Sequence, residues 1–202
     1  MITHLSSTRD RILDAAASVM REQGIARATT KQIAAAAGCS EALLYKHFRA
    51  KVDLFVAVLQ ERTPGELAAF LVGLRDAAGK RSVEENLVQV AQRALAFYRE
   101  SFLMAVSIFF EREAFEAYRA ALLERGAGPQ MVNRWLADYL RAEQELGRVR
   151  ADAAPDAAAS LLFGACMQHA FLGQFVEQPE AVGHARSLVR MLLPGLVAEG
   201  DG

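Results

Sequence analysis

The sequence contains few of the residues that interrupt or cross-link a helical chain. Its 202 residues include five prolines and two cysteines. Proline is poorly tolerated inside helices, and alternating β-branched stretches are also nearly missing, so the Ala- and Leu-rich chain is predicted to be helical throughout. The two cysteines, Cys39 and Cys166, lie far apart without the paired spacing of a metal site. We therefore expect reduced thiols rather than a disulfide.

No hydrophobic run is long enough to cross a membrane. The most apolar stretches, 102–110 and 161–173, are shorter than the roughly 20 residues that a spanning helix needs, and the second contains Gln168 and His169. No signal peptide precedes the first charged, helix-like segment. We therefore expect a cytoplasmic protein that has no membrane partner.

An excess of charge of either sign is also missing, because 23 Lys or Arg residues face 24 Asp or Glu residues. The total charge therefore gives no argument for nucleic-acid binding. The distribution is uneven, since residues 1–54 hold eight basic side chains against five acidic ones. This asymmetry is compatible with a small phosphate-facing module attached to a neutral or acidic body.

Patterns that carry catalysis or bind a cofactor are absent as well. The chain shows no Ser-His-Asp, Cys-His or paired-carboxylate arrangement at a useful spacing, and its glycines do not form a phosphate-binding loop. His169 has only Gln168 and Cys166 beside it, which are too few ligands for a metal ion. We expect neither an enzyme nor a cofactor or metal site.

What is present is a strong local pattern around two short helices. Thr29 and Gln32 form a capping box, in which the threonine accepts the glutamine backbone N–H and the glutamine side chain reaches back. Gly38 can take the left-handed conformation that ends the first short helix, and Ser40 is a suitable N-cap for the next. With a preceding helix over residues 7–23, the pattern predicts a helix-turn-helix.

The second helix of this motif has two distinct faces. At about 100° per residue, Leu44 and Phe48 share one face, while Ala42 and Lys46 share the opposite one. We expect the first pair to anchor the helix to the apolar stripe of the preceding helix. The opposite face, with Leu43 beside it, remains free to enter the major groove of DNA.

The same residues resemble the head of the TetR family of one-component bacterial regulators. Cys39 stands where this family usually has Val, and a buried free Cys behaves as a small hydrophobe. The resemblance continues upstream over residues 11–16 and fades beyond Leu59. The family pattern is present at Thr29, Ile33, Ala34, Ala37, Gly38, Ser40, Leu44, Tyr45, His47, Phe48 and Lys51.

The resemblance implies a role for most positions on the outside of the motif. The positions that usually touch phosphate oxygens are occupied by Thr29, Tyr45, His47 and Lys51. The positions that usually lie where bases are read are occupied by Ser40, Glu41, Ala42, Leu43 and Lys46. We expect Glu41 to accept from a cytosine amino group, Lys46 to donate to guanine and Leu43 to contact a thymine methyl group.

The implied fold is all-α, with about nine helices. A three-helix head occupies residues 1–50, and a helical ligand-binding and dimerisation body, which begins with a linking helix at Lys51, occupies residues 51–202. Periodicity and breaks predict further body helices at about 66–77, 83–99, 102–123, 130–146, 156–176 and 180–197. In this family the last two helices usually form the dimer interface, for which the candidates are Ala158, Leu161, Ala165, Leu172, Leu188 and Leu192.

Members of the family often hold an effector among their body helices. Large side chains recur there, a pattern that usually belongs to residues of the hydrophobic core. The candidates for lining a pocket are Phe102, Met104, Trp135, Tyr139, Phe163, Met167 and His169. The resemblance implies a sequence-specific, DNA-binding homodimer, a repressor that a small, largely apolar effector releases from a palindromic operator. Two alternatives stay open: a regulator that activates or has no effector, and, more remotely, a small helical carrier or enzyme that does not bind DNA.

Overall fold

The structure, a computed structural model, describes residues 7–62, 65–124 and 128–197. Within these ranges the chain forms helices and no strand, which confirms the all-α prediction, with ten α-helices where about nine were expected. None of them is both long and apolar enough to cross a membrane. The α-helices are α1 Thr8–Arg27, α2 Thr30–Ala36, α3 Glu41–His47, α4 Lys51–Glu61, α5 Gly65–Leu74, α6 Val83–Ile108, α7 Arg112–Glu124, α8 Gln130–Glu145, α9 Pro155–Leu172 and α10 Ala181–Leu192, and the 3-10 helices are Arg75–Ala77 and Leu193–Gly195.

The chain divides into two compact units, of which the first contains the described residues up to 62 and those of 100–128. It therefore holds α1 to α4, the end of α6, and α7. Helix α4 packs against both α1 and α7, and Leu54, Phe55 and Val58 of α4 belong to the same buried cluster as the apolar face of α1. A boundary after residue 50 does not coincide with this unit, because the apolar face of α4 is buried together with the head.

Helix α1 continues past the glycine at which it was predicted to end. Gly24 has a φ of 76°, so α1 is kinked there and runs on to Arg27. The Ile25 N–H donates to Ser107 Oγ at 2.9 Å, and a Cβ at Gly24 would lie 3.3 Å from the Ser107 Cβ. Both the positive φ and the close approach favour glycine at this position.

The largest departure from the predicted helices lies between residues 83 and 123. Instead of two helices at 83–99 and 102–123, α6 runs without a break from Val83 to Ile108, and α7 begins at Arg112. The chain has neither Gly nor Pro between residues 83 and 108. Ser101, at the expected break, is buried within the helix. A single polar residue therefore does not end a helix whose residues before and after it are packed in a core.

The second unit contains the described residues of 65–99 and 129–197, and therefore α5, the first part of α6, and α8 to α10. Its core forms where α8 packs against α5 and α9. Polar groups are buried in this core: Asn86 Nδ2 donates to the Tyr139 hydroxyl at 2.9 Å, and the fully buried Glu143 accepts the Gly79 N–H at 3.2 Å. These bonds join Gly79, which precedes α6, and Asn86 of α6 to α8, while Glu143 Oε2 has no hydrogen-bond partner.

Candidate nucleic-acid interface

The local geometry of the helix-turn-helix agrees with the predicted caps. Thr29 Oγ1 accepts the Gln32 N–H at 3.2 Å, and Gln32 Oε1 accepts the Thr29 N–H at 3.0 Å, which completes the capping box. Gly38 has a φ of 64°, and Ser40 Oγ accepts the Leu43 N–H at 3.2 Å at the start of α3. The sequence prediction of a capped helix, a glycine turn and a second capped helix is confirmed.

The inner face of α3 anchors it to the head. Leu44 and Phe48 are buried, with relative exposures of 0% and 4%, in one cluster with Ile12, Val19 and Ile33. Burial of two large apolar side chains contributes about 1.5–3 kcal/mol each, so this short helix is held by packing rather than by its own propensity. The predicted anchoring role of this face is confirmed.

The outer face of the motif is open to solvent. Helix α3 has one acidic side chain in its first turn and two basic side chains, Lys46 and His47, in its last turn, an order that suits the helix dipole. Leu43 and Lys51 are half-buried. The other positions to which contacts with DNA were assigned are exposed: Thr29, Ser40, Glu41, Ala42, Tyr45, Lys46 and His47.

Thr30 is a residue of this surface that the sequence analysis did not select. Its hydroxyl donates to Glu41 Oε1 at 2.6 Å and lies 3.4 Å from the Tyr45 hydroxyl. Thr30 is the first residue of α2 and Glu41 the first residue of α3. Each of the two residues directly follows the N-cap of its helix. This shared position is the one signal in the sequence that could have indicated the pair.

Lys51, at the first position of α4, sits beside a small cleft within the first unit. Its Nζ lies 5.0 Å from the centre of the Phe55 ring, a cation–π distance. The cleft has a volume of about 230 Å³ and is lined by apolar residues, by Lys51, and by Glu111 and Glu113, which lie just before and in the first turn of α7. The lysine that was assigned to a phosphate therefore has a ring face beside its ammonium group and shares the lining of this cleft with two acidic residues.

Two arginines join the start of α1 to the end of α4. Arg9 forms a two-bond pair with Glu61, at 2.7 and 2.8 Å, and Arg62 donates to Asp14 at 2.7 Å and to Asp10 at 2.8 Å. Single exposed ion pairs contribute little, but these bonds form a network that connects the start of α1 to the end of α4. Sequence reasoning missed these pairs because the partners are about fifty positions apart.

The residues suggested for an effector pocket belong to both units. Met104 lies in the buried cluster of the first unit, whereas Tyr139 and Phe163 lie in that of the second. Met167 is 52% exposed, and Phe102, Trp135 and His169 are half-buried. Burial, and secondarily the charge interaction with His184, whose ring stacks at 4.4 Å, lowers the pKa of His169 below its ordinary value.

The residues suggested for a dimer interface differ in how far they are exposed to solvent. Leu161 and Leu172 of α9 are 64% and 38% exposed. Ala165, Leu188 and Leu192 are half-buried. Ala158 is buried in the core of its own chain, so it offers no surface to a second copy.

The two cysteines are candidate nucleophiles, and the cysteine, histidine and acidic side chains are candidate metal ligands. Cys39 is half-buried, and burial raises the pKa of the Cys166 thiol to about 12. A thiol of this pKa is protonated at neutral pH and unreactive. Within the described ranges, no group of three or more His, Cys, Asp or Glu side chains is arranged to hold a metal ion.

Known proteins match the chain mainly through this head. A family model described as bacterial regulatory proteins, tetR family, matches residues 12–58, from α1 into α4. The HTH-type transcriptional regulator SrpR of Pseudomonas putida is 46% identical over 55 residues, 27% of this chain and 26% of that protein. The HTH-type transcriptional regulator AcrR of Shigella flexneri is 30% identical over 141 residues, 69% of this chain and 62% of that protein.

Similarity in fold extends over nearly the whole chain. A solved structure from Mesorhizobium loti, described as a TetR-family transcriptional regulator, aligns with a TM-score of 0.75 and 22% identity over 98% of this chain and 100% of that one. At this identity the likeness concerns the fold alone. The chain spans less than two thirds of the length of the two relatives. The matches from α1 into α4 show that this segment, residues 12–58, belongs to the tetR family of bacterial regulatory proteins.

Proposed function

We propose that this protein is a sequence-specific, DNA-binding transcription regulator and not an enzyme. The observation that carries the proposal is the two-sided α3, whose inner Leu44 and Phe48 are buried while its outer face is exposed next to a capped α2. A helix fixed in this way can enter the major groove without deforming the head. This activity would place the protein in the compartment that holds the DNA.

In the bound state, phosphate contacts set the register and base contacts give the specificity. We assign the phosphate contacts to Thr29, Tyr45, His47 and Lys51. Tyr45 is 45% exposed, so its hydroxyl can donate to a phosphate oxygen without a change in the core. The base contacts are assigned to residues at the start and on the outer face of α3, which are the exposed Ser40, Glu41, Ala42 and Lys46 and the half-buried Leu43.

A homodimer is part of the proposal, because two heads are needed to occupy the two half-sites of a palindromic operator. Support comes from α9, which keeps large apolar side chains on its exposed side, including Leu161, Met167 and Phe171 at 64%, 52% and 48% exposure. An apolar surface of this kind on a soluble chain marks an interaction site. A second copy, packed through α9 and α10, would cover it.

The regulator is further proposed to be a repressor that a small, largely apolar effector releases from DNA. An effector shifts the equilibrium only if it binds the two states of the dimer with different affinity. The packing of Tyr139 and Phe163 into the core of the second unit favours the second candidate, a regulator without an effector. Trp135 is the one tryptophan of the chain and is half-buried, so its fluorescence during titration with an apolar dye distinguishes the two candidates.

The proposal is tested with DNA from upstream of the protein's own gene. Fluorescence anisotropy at low salt should give saturable binding to this DNA, and binding to a shuffled duplex of equal length should be weaker by at least about a thousandfold. A footprint should show two protected half-sites with their centres one helical turn of DNA apart, or a multiple of it. The absence of any binding at low salt would exclude a DNA-binding regulator.

A further inference from the structure

Three side chains in the helix-turn-helix form a hydrogen-bonded row. Thr30, at the start of α2, donates its hydroxyl proton to Glu41 Oε1 at 2.6 Å. The Tyr45 hydroxyl lies 3.4 Å from the same Thr30 oxygen. Glu41 and Tyr45 are exposed and lie four positions apart on α3, whereas Thr30 is half-buried. The row therefore connects a residue assigned to base reading with one assigned to a phosphate.

The proton positions in this row follow from the chemistry of the groups. An ionised carboxylate can only accept, and a threonine hydroxyl has one proton, so the proton of Thr30 is committed to Glu41. Any bond between Tyr45 and Thr30 must then be donated by the tyrosine, and this bond is exchanged when the tyrosine donates its one proton to a phosphate. Thr30 is consequently not free to donate to a phosphate while its bond to Glu41 exists.

The bond limits the freedom of the Glu41 side chain. An exposed glutamate has several free torsions, and it loses rotamer freedom when it is held. Threonine is branched at Cβ and restricted at χ1, so its hydroxyl is a fixed point from which to hold a carboxylate. Within the described ranges the Glu41 side chain makes no other hydrogen bond, and Oε2 is open to a second donor.

The donor that suits Oε2 is identified by the major-groove pattern of the base pairs. Guanine presents only acceptors to a side chain at its edge, and thymine presents an acceptor and a methyl group, so both repel a carboxylate or leave it unpaired. Adenine has an amino group next to the N7 acceptor, which suits an amide better than two carboxylate oxygens. Cytosine presents its N4 amino donor, which a carboxylate accepts.

We propose that Thr30 is a positioning residue for base recognition, which holds Glu41 so that Oε2 meets the N4 amino group of a cytosine in each half-site. The inference rests on the proposed function, because it requires that α3 enters the major groove. Thr30 acts through Glu41 and does not itself touch the base. Loss of its hydroxyl should therefore change the preference among bases, while the attraction to the phosphate backbone stays the same.

The test compares Thr30→Val, which keeps the shape but removes the hydroxyl, with Thr30→Ser, which keeps the hydroxyl. Ser18→Ala is the matched control, because Ser18 also donates to a glutamate, Glu22 at 3.2 Å, but on α1. Each protein is titrated by anisotropy against four versions of the selected operator that differ at one base pair, and against a non-specific duplex. Circular dichroism confirms that each variant is folded.

The expected result is a preference for cytosine in the wild-type protein that falls by about fivefold or more in Thr30→Val, the scale of one hydrogen-bonded base contact. Thr30→Ser and Ser18→Ala should keep the preference. Binding to the non-specific duplex and its salt dependence should be equal in all four proteins.

Two outcomes would overturn the inference and leave the proposed function intact. One is a Thr30→Val variant with the wild-type base preference. The other is equal weakening on every duplex with a reduced salt dependence, which would make Thr30 a phosphate contact. A wild-type protein that binds no duplex at low salt would overturn the proposed function, and the inference with it.

Discussion

Replacement of Glu143 by alanine should destabilise the second unit more than any other single change to a charged residue of α8. The side chain is fully buried, and its Oε1 accepts the Gly79 N–H at 3.2 Å. Its Oε2 lies 3.4 Å from Arg148 Nη1 in an ion pair without a hydrogen bond. Burial raises the pKa of Tyr139, and the adjacent Glu143 carboxylate raises it further.

The size of the effect follows from the groups that the change would leave without partners. The Gly79 N–H loses its acceptor in a partly buried position, which costs about 1–3 kcal/mol. Arg148 is 29% exposed and can be rehydrated, so its lost ion pair counts for at most about 1 kcal/mol. Tyr139 keeps the bond from Asn86. The sum is a loss of about 1–4 kcal/mol, or roughly 2–16 °C in Tm for a chain of this length.

The assay is urea and thermal unfolding followed by circular dichroism. Glu145→Ala is the matched control, because Glu145 is exposed on the same helix and its loss should change stability by less than about 0.5 kcal/mol. Glu143→Gln keeps an oxygen for the Gly79 N–H and should fall between the two. If Glu143→Ala and Glu145→Ala unfolded at the same urea concentration with equal slopes, the buried network would not contribute to stability and the reasoning would be refuted.

Three further predictions concern DNA, dimerisation and pH. Lys51→Ala should reduce the slope of log affinity against log salt by about 0.9 per chain in anisotropy titrations, while Lys80→Ala in the second unit should not; an unchanged slope would remove Lys51 from the phosphate contacts. Leu161→Glu should convert the dimer to monomers in sedimentation velocity, while Val72→Glu, equally exposed on α5 at 62%, should not; a persistent dimer would contradict the α9 interface. The pKa of His169 is lowered in the folded protein by burial and by its histidine neighbour, so the unfolded chain takes up the His169 proton at a higher pH and stability should fall as pH drops below 6.5. In urea titrations at several pH values, the His169→Gln variant should lose this part of the pH dependence. An unchanged pH profile would assign the dependence to another group.

Several features of the head were predictable because they depend on residues a few positions apart. The capping box of Thr29 and Gln32, the left-handed Gly38 and the Ser40 cap each require only a short stretch of chain and the geometry of one turn. The two faces of α3 follow from helical periodicity in the same way. These features also carry the family resemblance, so the fold class could be predicted from the same short stretch.

Other features could not be predicted, because they depend on which distant segments meet. The continuity of α6 through Ser101 depends on burial of that side chain. At the kink of α1, the N–H that follows Gly24 donates to Ser107, more than eighty positions away. The pairing of Thr30 with Glu41 spans eleven positions and crosses the turn. Periodicity within one helix contains no information on such partners.

The amino-acid sequence by itself therefore determined that the part of the chain that the structure describes is helical, and that it contains a capped helix-turn-helix with one apolar and one open face. Only the tertiary structure decided that α4 is buried with the head, that Ala158 is enclosed by its own chain and that Glu41 is held by Thr30. The physical reason is that caps, turns and periodicity are properties of neighbouring residues, whereas burial and hydrogen-bond partners are set when distant helices pack and water is excluded between them.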